Sequence, residues 1–238
     1  MTTFPEIRAL TFDVFGTVVD WRGGIAREAE AMLAPKGHDL DWGAFASAWR
    51  RPILAAMAPV RSAERSYVTM DALHRETLDA ALDEFHIATL DETGKHRLAM
   101  GWRRLDPWPD SIAGMNLIKA QRAVVALSNG NIALVLAMAK RAGIPWDTIL
   151  GADLVRTYKP DAAIYDSASR LLDLAPSEIM MVACHPGDLN AAKSRGLRTA
   201  YVHRALEWGE GTERPLPGKD DYDIIAHSFT ELAEMLEA

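Results

Sequence analysis

The sequence predicts an α/β fold: a doubly wound parallel sheet with a helical cap domain inserted into it. Short apolar runs recur along the chain, and stretches of helical periodicity lie between most of them. Strands and helices in alternation are typical of a parallel sheet that is covered on both faces. The long stretch after the first apolar run has helical patterning alone, and this predicts the inserted cap.

Five apolar runs are predicted to be buried strands, because each is short, rich in β-branched residues and bounded by turn residues. They cover residues 9–13, 123–128, 148–152, 179–183 and 199–202, and residues 223–226 are a candidate sixth strand. Helices are predicted between them, at 111–121, 132–142, 162–172 and 189–195. Gly143 and Gly196 directly follow two of these helices, as C-terminal capping glycines do. The alternation predicts a Rossmann-like core.

Residues 19–105 show only helical patterning, at 24–33, 42–57, 70–85 and 92–102. This insertion is far longer than the dozen or so residues that a crossover connection needs. We therefore predict an α/β core domain of residues 1–18 and 106–238 and a helical cap domain of residues 19–105. Pro107 and Pro109 suit a domain boundary where the chain returns to the core.

Composition excludes several classes of protein. The net charge of −7 and the lack of a basic stripe argue against nucleic-acid binding. No apolar run approaches the roughly 18–20 residues of a membrane span, and the first residues do not resemble a signal peptide, so a cytoplasmic protein without a membrane partner is expected. The single cysteine, Cys184, excludes an intramolecular disulfide and a cysteine-rich metal site, and we expect it to be buried and inert. A homodimer is left open.

Reactive or hydrogen-bonding side chains follow four of the predicted strands. In chain order they are Asp13 and Thr17, Ser128 and Asn129, Lys159 and Tyr165, and His185 and Asp188. Because the carboxyl ends of parallel strands meet at one edge of a sheet, these side chains are expected to form one site. The Ser-Asn-Gly segment also opens a helix, whose free backbone N–H groups favour anions.

Four sequence blocks, in this order and spacing, resemble the haloacid dehalogenase superfamily over nearly the whole chain. They are Asp-Val-Phe-Gly-Thr at 13–17, Ser-Asn-Gly at 128–130, Lys-Pro at 159–160 and the later Asp188. Within that superfamily, the first three blocks look most like the (S)-2-haloacid dehalogenases, the type II family. The resemblance implies hydrolysis of short 2-haloalkanoic acids through an aspartyl ester, which gives a 2-hydroxy acid and halide.

The resemblance implies five catalytic residues. Asp13 is the nucleophile, Thr17 and Ser128 position it, Lys159 neutralises charge around it, and Asp188 lies near the hydrolytic water. An aspartate nucleophile that forms an ester and is then released by water is a recognised covalent strategy.

Five further residues are expected to contact the substrate or the halide: Phe15, Arg50, Asn129, Tyr165 and His185. By resemblance, Asn129 belongs to the halide cradle and Tyr165 matches a tyrosine kept near the lysine. Arg50 belongs to a Trp-Arg pair in the cap, whose arginine grips the substrate or the departing halide. Arg51 follows directly and competes with Arg50 for this assignment.

Phe15 bears on the type of reaction. Phosphate-transferring members of the superfamily need a second aspartate two residues after the nucleophile as a general acid, and this chain has Phe15 there. Halide leaves without a proton, so no such acid is needed. The Mg²⁺ ligand set also loses a member, and we expect no metal and no cofactor. A Mg²⁺-dependent small-molecule phosphatase and a catalytically silent binding protein stay open as alternatives.

The fourth block departs from the family pattern. Where the dehalogenases show Ser-Ser-Asn followed by an aromatic residue, this chain has Ala183, Cys184, His185 and Gly187. His185 can offer an N–H group to a halogen or a water, or act as a base near neutral pH. Gly187 removes an aromatic wall, which by itself enlarges the pocket. We give more weight to the hydrogen-bond donor that His185 adds than to the pocket volume that Gly187 adds. On this basis we predict short haloacetates, including fluoroacetate, as substrates.

Overall fold

The computed structural model describes residues 4–212 and 214–237; residues 1–3, 213 and 238 of the predicted core segments lie outside this part. Its strands form one parallel sheet in the order β3-β2-β1-β4-β5-β6. The strands are β1 (Ala9–Phe12), β2 (Ala123–Ser128), β3 (Thr148–Gly151), β4 (Ile179–Ala183), β5 (Arg198–Val202) and β6 (Ile224–Ala226). The predicted parallel sheet and its sixth strand are confirmed, with differences of one residue at some strand ends.

The centre of the sheet positions the site. β1 pairs with β2 on one side and with β4 on the other, and every residue of β1 and β4 is buried. The chain builds outward from β1 through β2 to β3, and then from β4 through β5 to β6. β1 and β4 therefore flank the point where the strand order reverses, which is where open α/β sheets bind their ligands.

Five helices accompany the sheet: α6 (Ser111–Lys119), α7 (Ile132–Ala142), α8 (Ala162–Leu172), α9 (Pro186–Ser194) and α10 (Phe229–Glu237). The sequence did not predict α10, which packs on α6. Helix α9 begins three residues earlier than predicted, because proline is favoured at a first helical position. This places Asp188 in the first turn. Gly143 and Gly196 adopt left-handed conformations with φ of 73° and 84°, as expected of C-terminal capping glycines.

The segment between β1 and α6 is helical: α1 (Trp21–Leu33), α2 (Trp42–Ala56), α3 (Ala58–Arg61), α4 (Met70–Glu84), α5 (Glu92–Ala99) and a 3₁₀ turn (Met100–Arg104). Four of these helices begin after a side chain that accepts a backbone N–H bond, namely Asp20, Asp41, Thr69 and Asp91. Where the chain leaves and re-enters the core, Asp20 N–H donates to Asp106 O and Trp108 N–H to Val18 O, both over 3.0 Å. The division into core and cap domains stays a prediction.

The longest helices in the described part of the chain, α2 and α4, have 15 residues each. None is long and apolar enough to cross a bilayer.

Candidate active site

Asp13 directly follows β1, and its carboxylate accepts hydrogen bonds from three side chains. The Thr17 hydroxyl donates to Oδ2 over 2.8 Å, and His185 Nδ1 lies 3.0 Å from the same oxygen. Lys159 Nζ donates to Oδ1 over 3.3 Å. Two donors therefore hold Oδ2, whereas Oδ1 has a single long bond and is the oxygen that is freer to react.

Asp13 is ionised in this setting. Burial alone raises the pKa of its carboxyl group, but Lys159 and then His185 lower that pKa by more, and the net pKa lies well below the usual range. The ionised carboxylate is the form that attacks carbon.

Lys159, Asp188 and Tyr165 form a second buried group beside Asp13. Lys159 Nζ donates to Asp188 Oδ2 over 2.7 Å, and the Tyr165 hydroxyl donates to Asp188 Oδ1 over 2.6 Å. Burial lowers the pKa of Lys159, but Asp188 and Asp13 raise it by more, so the amine stays a cation. Burial raises the pKa of Asp188 above its usual value in spite of Lys159. Asp188 is thus a stronger base than an exposed aspartate.

His185 lies between two carboxylates. Its Nδ1 faces Asp13, and its Nε2 lies 2.8 Å from Glu207 Oε1, which also accepts a 3.2 Å bond from Trp21 Nε1. Burial lowers the pKa of His185, but contacts with Cys184, Asp13 and Glu207 raise it well above its usual value. Burial also raises the pKa of the Cys184 thiol, so the thiol stays neutral. The charges that stabilise the second proton on His185 are therefore the carboxylates of Asp13 and Glu207.

The raised pKa favours the doubly protonated ring, which donates and does not accept, and this disfavours His185 as a base near neutral pH. The roles of His185 stay predictions. Both ring nitrogens face carboxylates, which also argues against direct donation to a halogen. His185 instead donates to Asp13 Oδ2. Five neighbouring groups alternate in charge, four of them buried and His185 partly exposed, and we call them the charge chain: Glu207, His185, Asp13, Lys159 and Asp188.

Arg50 lies over three aromatic rings. Its Cζ is 5.7 Å from the Phe15 centroid, 5.5 Å from Trp21 and 5.7 Å from Trp102. Burial lowers the pKa of the guanidinium, against the raising effect of Glu207 and Asp13. Nη1 is buried and has no hydrogen-bond partner among the described residues. A buried donor without a partner costs about 1–3 kcal/mol, so this group is suited to an anionic ligand.

The neighbouring Arg51 faces away from the site. It pairs with Glu84 at 2.9 Å, and 63% of its side chain is exposed. Of the two arginines that compete in the sequence, the structure places Arg50 beside Asp13 and Arg51 at the surface.

Ser128 and Asn129 shape the loop after β2. The Ser128 hydroxyl accepts a 2.9 Å bond from Gly130 N–H, and Asn129 Oδ1 accepts a 2.7 Å bond from Lys159 N–H. The second bond orients the amide, and the Asn129 NH₂ group is the end that remains for a ligand. The predicted role of Ser128 in positioning Asp13 stays a prediction.

A pocket of about 420 Å³ opens over these groups. It is lined by eight of the predicted or newly found site residues, namely Asp13, Phe15, Arg50, Asn129, Lys159, His185, Asp188 and Glu207. Arg61 and Arg214, which the sequence analysis did not single out, add two further cations to its lining. A Cβ on Gly187 would meet no atom within 4 Å. The space beside Gly187, where the family pattern has an aromatic side chain, is therefore open in this chain.

Glu207 is the main site residue that sequence reasoning missed. It lies in a turn five residues after the end of β5, so the rule that polar residues at strand ends form the site does not single it out. Gly16 makes room for it: Gly16 has φ of 91°, and a Cβ there would lie 2.4 Å from Glu207 Oε1.

Comparison with known proteins agrees with this geometry. The family model of haloacid dehalogenase-like hydrolases matches residues 7–196. (S)-2-haloacid dehalogenase 4A of Burkholderia cepacia is 30% identical over 234 residues, which cover 97% of this chain and 94% of that protein. (S)-2-haloacid dehalogenase 1 of Pseudomonas sp. strain CBS-3 is 32% identical over 83% of this chain and 85% of that protein.

Two crystal structures are similar over almost the full length. The defluorinating L-2-haloacid dehalogenase Rha0230 has a TM-score of 0.94 at 43% identity and covers 100% of this chain and 99% of its own. The L-2-haloacid dehalogenase PA0810 has a TM-score of 0.92 at 44% identity and covers 97% and 99%.

The parallel sheet agrees with the fold of these solved structures, and the buried aspartate lies at its switch point. The chain belongs to the haloacid dehalogenase-like hydrolase family. The predicted resemblance is therefore confirmed. The prediction of an enzyme that hydrolyses carbon–halide bonds agrees with the names of its relatives.

Proposed function

We propose that this chain hydrolyses short 2-haloalkanoic acids, above all haloacetates, through an ester of Asp13. Its relatives support the hydrolytic dehalogenation of a 2-haloacid. The observation that supports the residue roles is that one pocket holds both an ionised, buried Asp13 and an N–H of Arg50 that has no partner in the described part of the chain. Such a pocket offers a nucleophile and an anion site side by side.

In the first step, Asp13 Oδ1 attacks the carbon that bears the halogen. A new carbon–oxygen bond forms, and the carbon–halogen bond breaks with its electron pair on the departing halide. Arg50 and the Asn129 NH₂ group take up the halide charge or hold the substrate carboxylate. Lys159, 3.3 Å from Oδ1, keeps the carboxylate ionised until it reacts.

In the second step, water attacks the carbonyl carbon of the Asp13 ester, and the bond between that carbon and Oδ1 then breaks. The 2-hydroxy acid leaves with Oδ1 as its hydroxyl oxygen, to which Asp188 passes one proton of the water, and the other proton is lost as Asp13 becomes ionised again. The carbonyl oxygen is Oδ2, which Thr17 and His185 already contact at 2.8 and 3.0 Å. These donors stabilise the negative charge that develops on Oδ2. Asp188, whose pKa burial raises, takes the proton of the water, and Tyr165 and Lys159 fix its orientation. Glu207 acts through His185 as a positioning residue.

Fluoroacetate is included among the proposed substrates. Fluoride is a small anion, so it gains most from a direct charge-assisted hydrogen bond, and Arg50 offers one inside a cage of aromatic rings. The similar Rha0230 is named as a defluorinating enzyme.

We expect fluoride release from fluoroacetate, and higher kcat/KM for chloroacetate than for 2-chloropropionate. A fluoride electrode and a chloride assay on the same preparation measure both. Fluoride at background together with a clear preference for 2-chloropropionate would contradict the short-substrate proposal while leaving 2-haloacid dehalogenation in place.

The experiment that tests the function compares chloroacetate with p-nitrophenyl phosphate, each with Mg²⁺ and with excess chelator. Because Phe15 stands in place of a general acid, we expect chloride release to persist in chelator and phosphate release to stay at background. Phe15→Asp should add slight phosphatase activity without helping dehalogenation. Activity that is lost on chelation and restored by Mg²⁺ would favour the phosphatase alternative, and inactivity toward both substrates would favour a binding protein.

A cytoplasmic location and the absence of nucleic-acid partners stay predictions for this chain, and a homodimer stays open.

A further inference from the structure

We propose that Cys184, His185 and Glu207 form a binding site for a thiophilic divalent cation of the zinc class, and that the bound ion inhibits the enzyme. The three residues supply a thiol sulfur, an imidazole nitrogen and a carboxylate oxygen, which all lie within 4.8 Å of one another. Cysteine, histidine and a carboxylate are the side chains from which protein zinc sites are built. Three protein ligands leave the fourth position of a tetrahedral ion for water.

The spacing of the three atoms suits such an ion. Bonds of about 2.3 Å to sulfur and about 2.0–2.2 Å to nitrogen and oxygen separate the ligand atoms of a tetrahedral site by about 3.3–3.6 Å. Cys184 Sγ lies 3.5 Å from His185 Nε2 and 3.8 Å from Glu207 Oε2. The imidazole contacts the other carboxylate oxygen, Glu207 Oε1, in a hydrogen bond of 2.8 Å, so the carboxylate must turn to place one oxygen near both ligands, and the distance from Nε2 to that oxygen must be about half an ångström longer than this bond.

The other face of the imidazole is already arranged as in a metal site. Histidine ligands usually donate their second ring N–H to a carboxylate, which fixes the tautomer and strengthens the ligand. His185 Nδ1 faces Asp13 Oδ2 at 3.0 Å while Nε2 faces the proposed site. Asp13 would thus be the supporting carboxylate of the ion.

His185 and Glu207 both line the substrate pocket, which gives the ion a path of entry. On binding, the ion replaces the proton shared by Nε2 and Glu207 and the proton of the Cys184 thiol, so two protons are released. Binding removes Glu207 and His185 from their roles around the Asp13 ester. This inhibition rests on the proposed role of Asp13, whereas the binding does not.

Calorimetry with Zn²⁺ and absorption spectroscopy with Co²⁺ test the site directly on the full chain. We expect Zn²⁺ to bind, Co²⁺ to show a thiolate charge-transfer band, and Zn²⁺ to inhibit chloride release reversibly on chelation. Mg²⁺ is the control cation, because it prefers oxygen ligands and should neither bind nor inhibit.

Cys184→Ala and Cys184→Ser provide matched variants, since Cys184 has no part in the proposed chemistry. We expect both to retain chloride release, to bind Zn²⁺ at least about tenfold more weakly and to lose the Co²⁺ band. Unchanged Zn²⁺ affinity in the two variants would overturn the proposed site, as would the absence of Zn²⁺ binding by the original protein. Zn²⁺ binding without inhibition would overturn the inhibitory role alone. Failure of dehalogenation would leave the calorimetric test unaffected.

Discussion

Replacing Asp13 with asparagine should abolish halide release. The amide has nearly the same shape but is a poor nucleophile, and loss of a nucleophile lowers kcat by about 10⁴-fold or more. Chloride release from chloroacetate measures the loss. Asp13→Ala is the control for slow deamidation of the new asparagine, and thermal unfolding of both variants shows whether the fold is kept.

The fate of oxygen distinguishes ester formation from direct attack by water. In a single turnover in ¹⁸O-water, the proposed mechanism places the label in the Asp13 carboxylate, because water attacks the ester carbonyl. The product hydroxyl then carries an oxygen that came from Asp13. Mass spectrometry of the peptide that contains Asp13 reads this out. A labelled product with an unlabelled peptide would mean that water attacks the substrate directly.

Replacing Arg50 with alanine is expected to lower kcat/KM for chloroacetate by about 10²–10³-fold. Loss of one donor that stabilises developing charge has an effect of this size. Arg51→Ala is the matched control: Arg51 pairs with Glu84 at the surface and should change kcat/KM by less than about twofold. Arg50→Lys keeps the charge but loses the planar guanidinium group, so its kcat/KM should lie between those of Arg50→Ala and Arg51→Ala.

The division of the Arg50 effect between kcat and KM identifies its ligand. A rise in KM alone would mean that Arg50 holds the substrate carboxylate equally in the ground and transition states. A fall in kcat would mean that it meets charge that appears only as the halide leaves. Small and equal losses in the Arg50 and Arg51 variants would contradict a role for either.

The sheet was predictable because its strands are buried on both faces and so read as continuous apolar runs. Strand ends were off by a residue, as at Asp13, whose N–H continues the hydrogen bonding of β1 to Val182 O over 2.9 Å although the residue lies just outside the strand. The start of α9 was predicted three residues too late, at residue 189, because the helix opens with Pro186 at its first position.

The site was predictable where it follows from strand ends and motifs, as for Asp13, Lys159 and Asp188. Glu207 was not, because it lies in an irregular segment whose approach to His185 depends on the space left by Gly16. Nor could the sequence tell which of Arg50 and Arg51 turns inward, because adjacent residues on a helix differ in direction by about 100° and only the packing of the cap decides between them.

The charge chain gives the ester intermediate a built-in instability. When Asp13 is alkylated, its negative charge disappears and the cations Lys159 and His185 lose the anion between them. Lys159 keeps Asp188 at 2.7 Å and His185 keeps Glu207 at 2.8 Å, but each cation loses one of its two ion pairs, and this loss costs free energy. Hydrolysis restores the missing charge and removes this cost. Formation of the ester therefore raises the free energy of the charged groups around Asp13, and hydrolysis lowers it again. This difference favours the return of the enzyme to its free form.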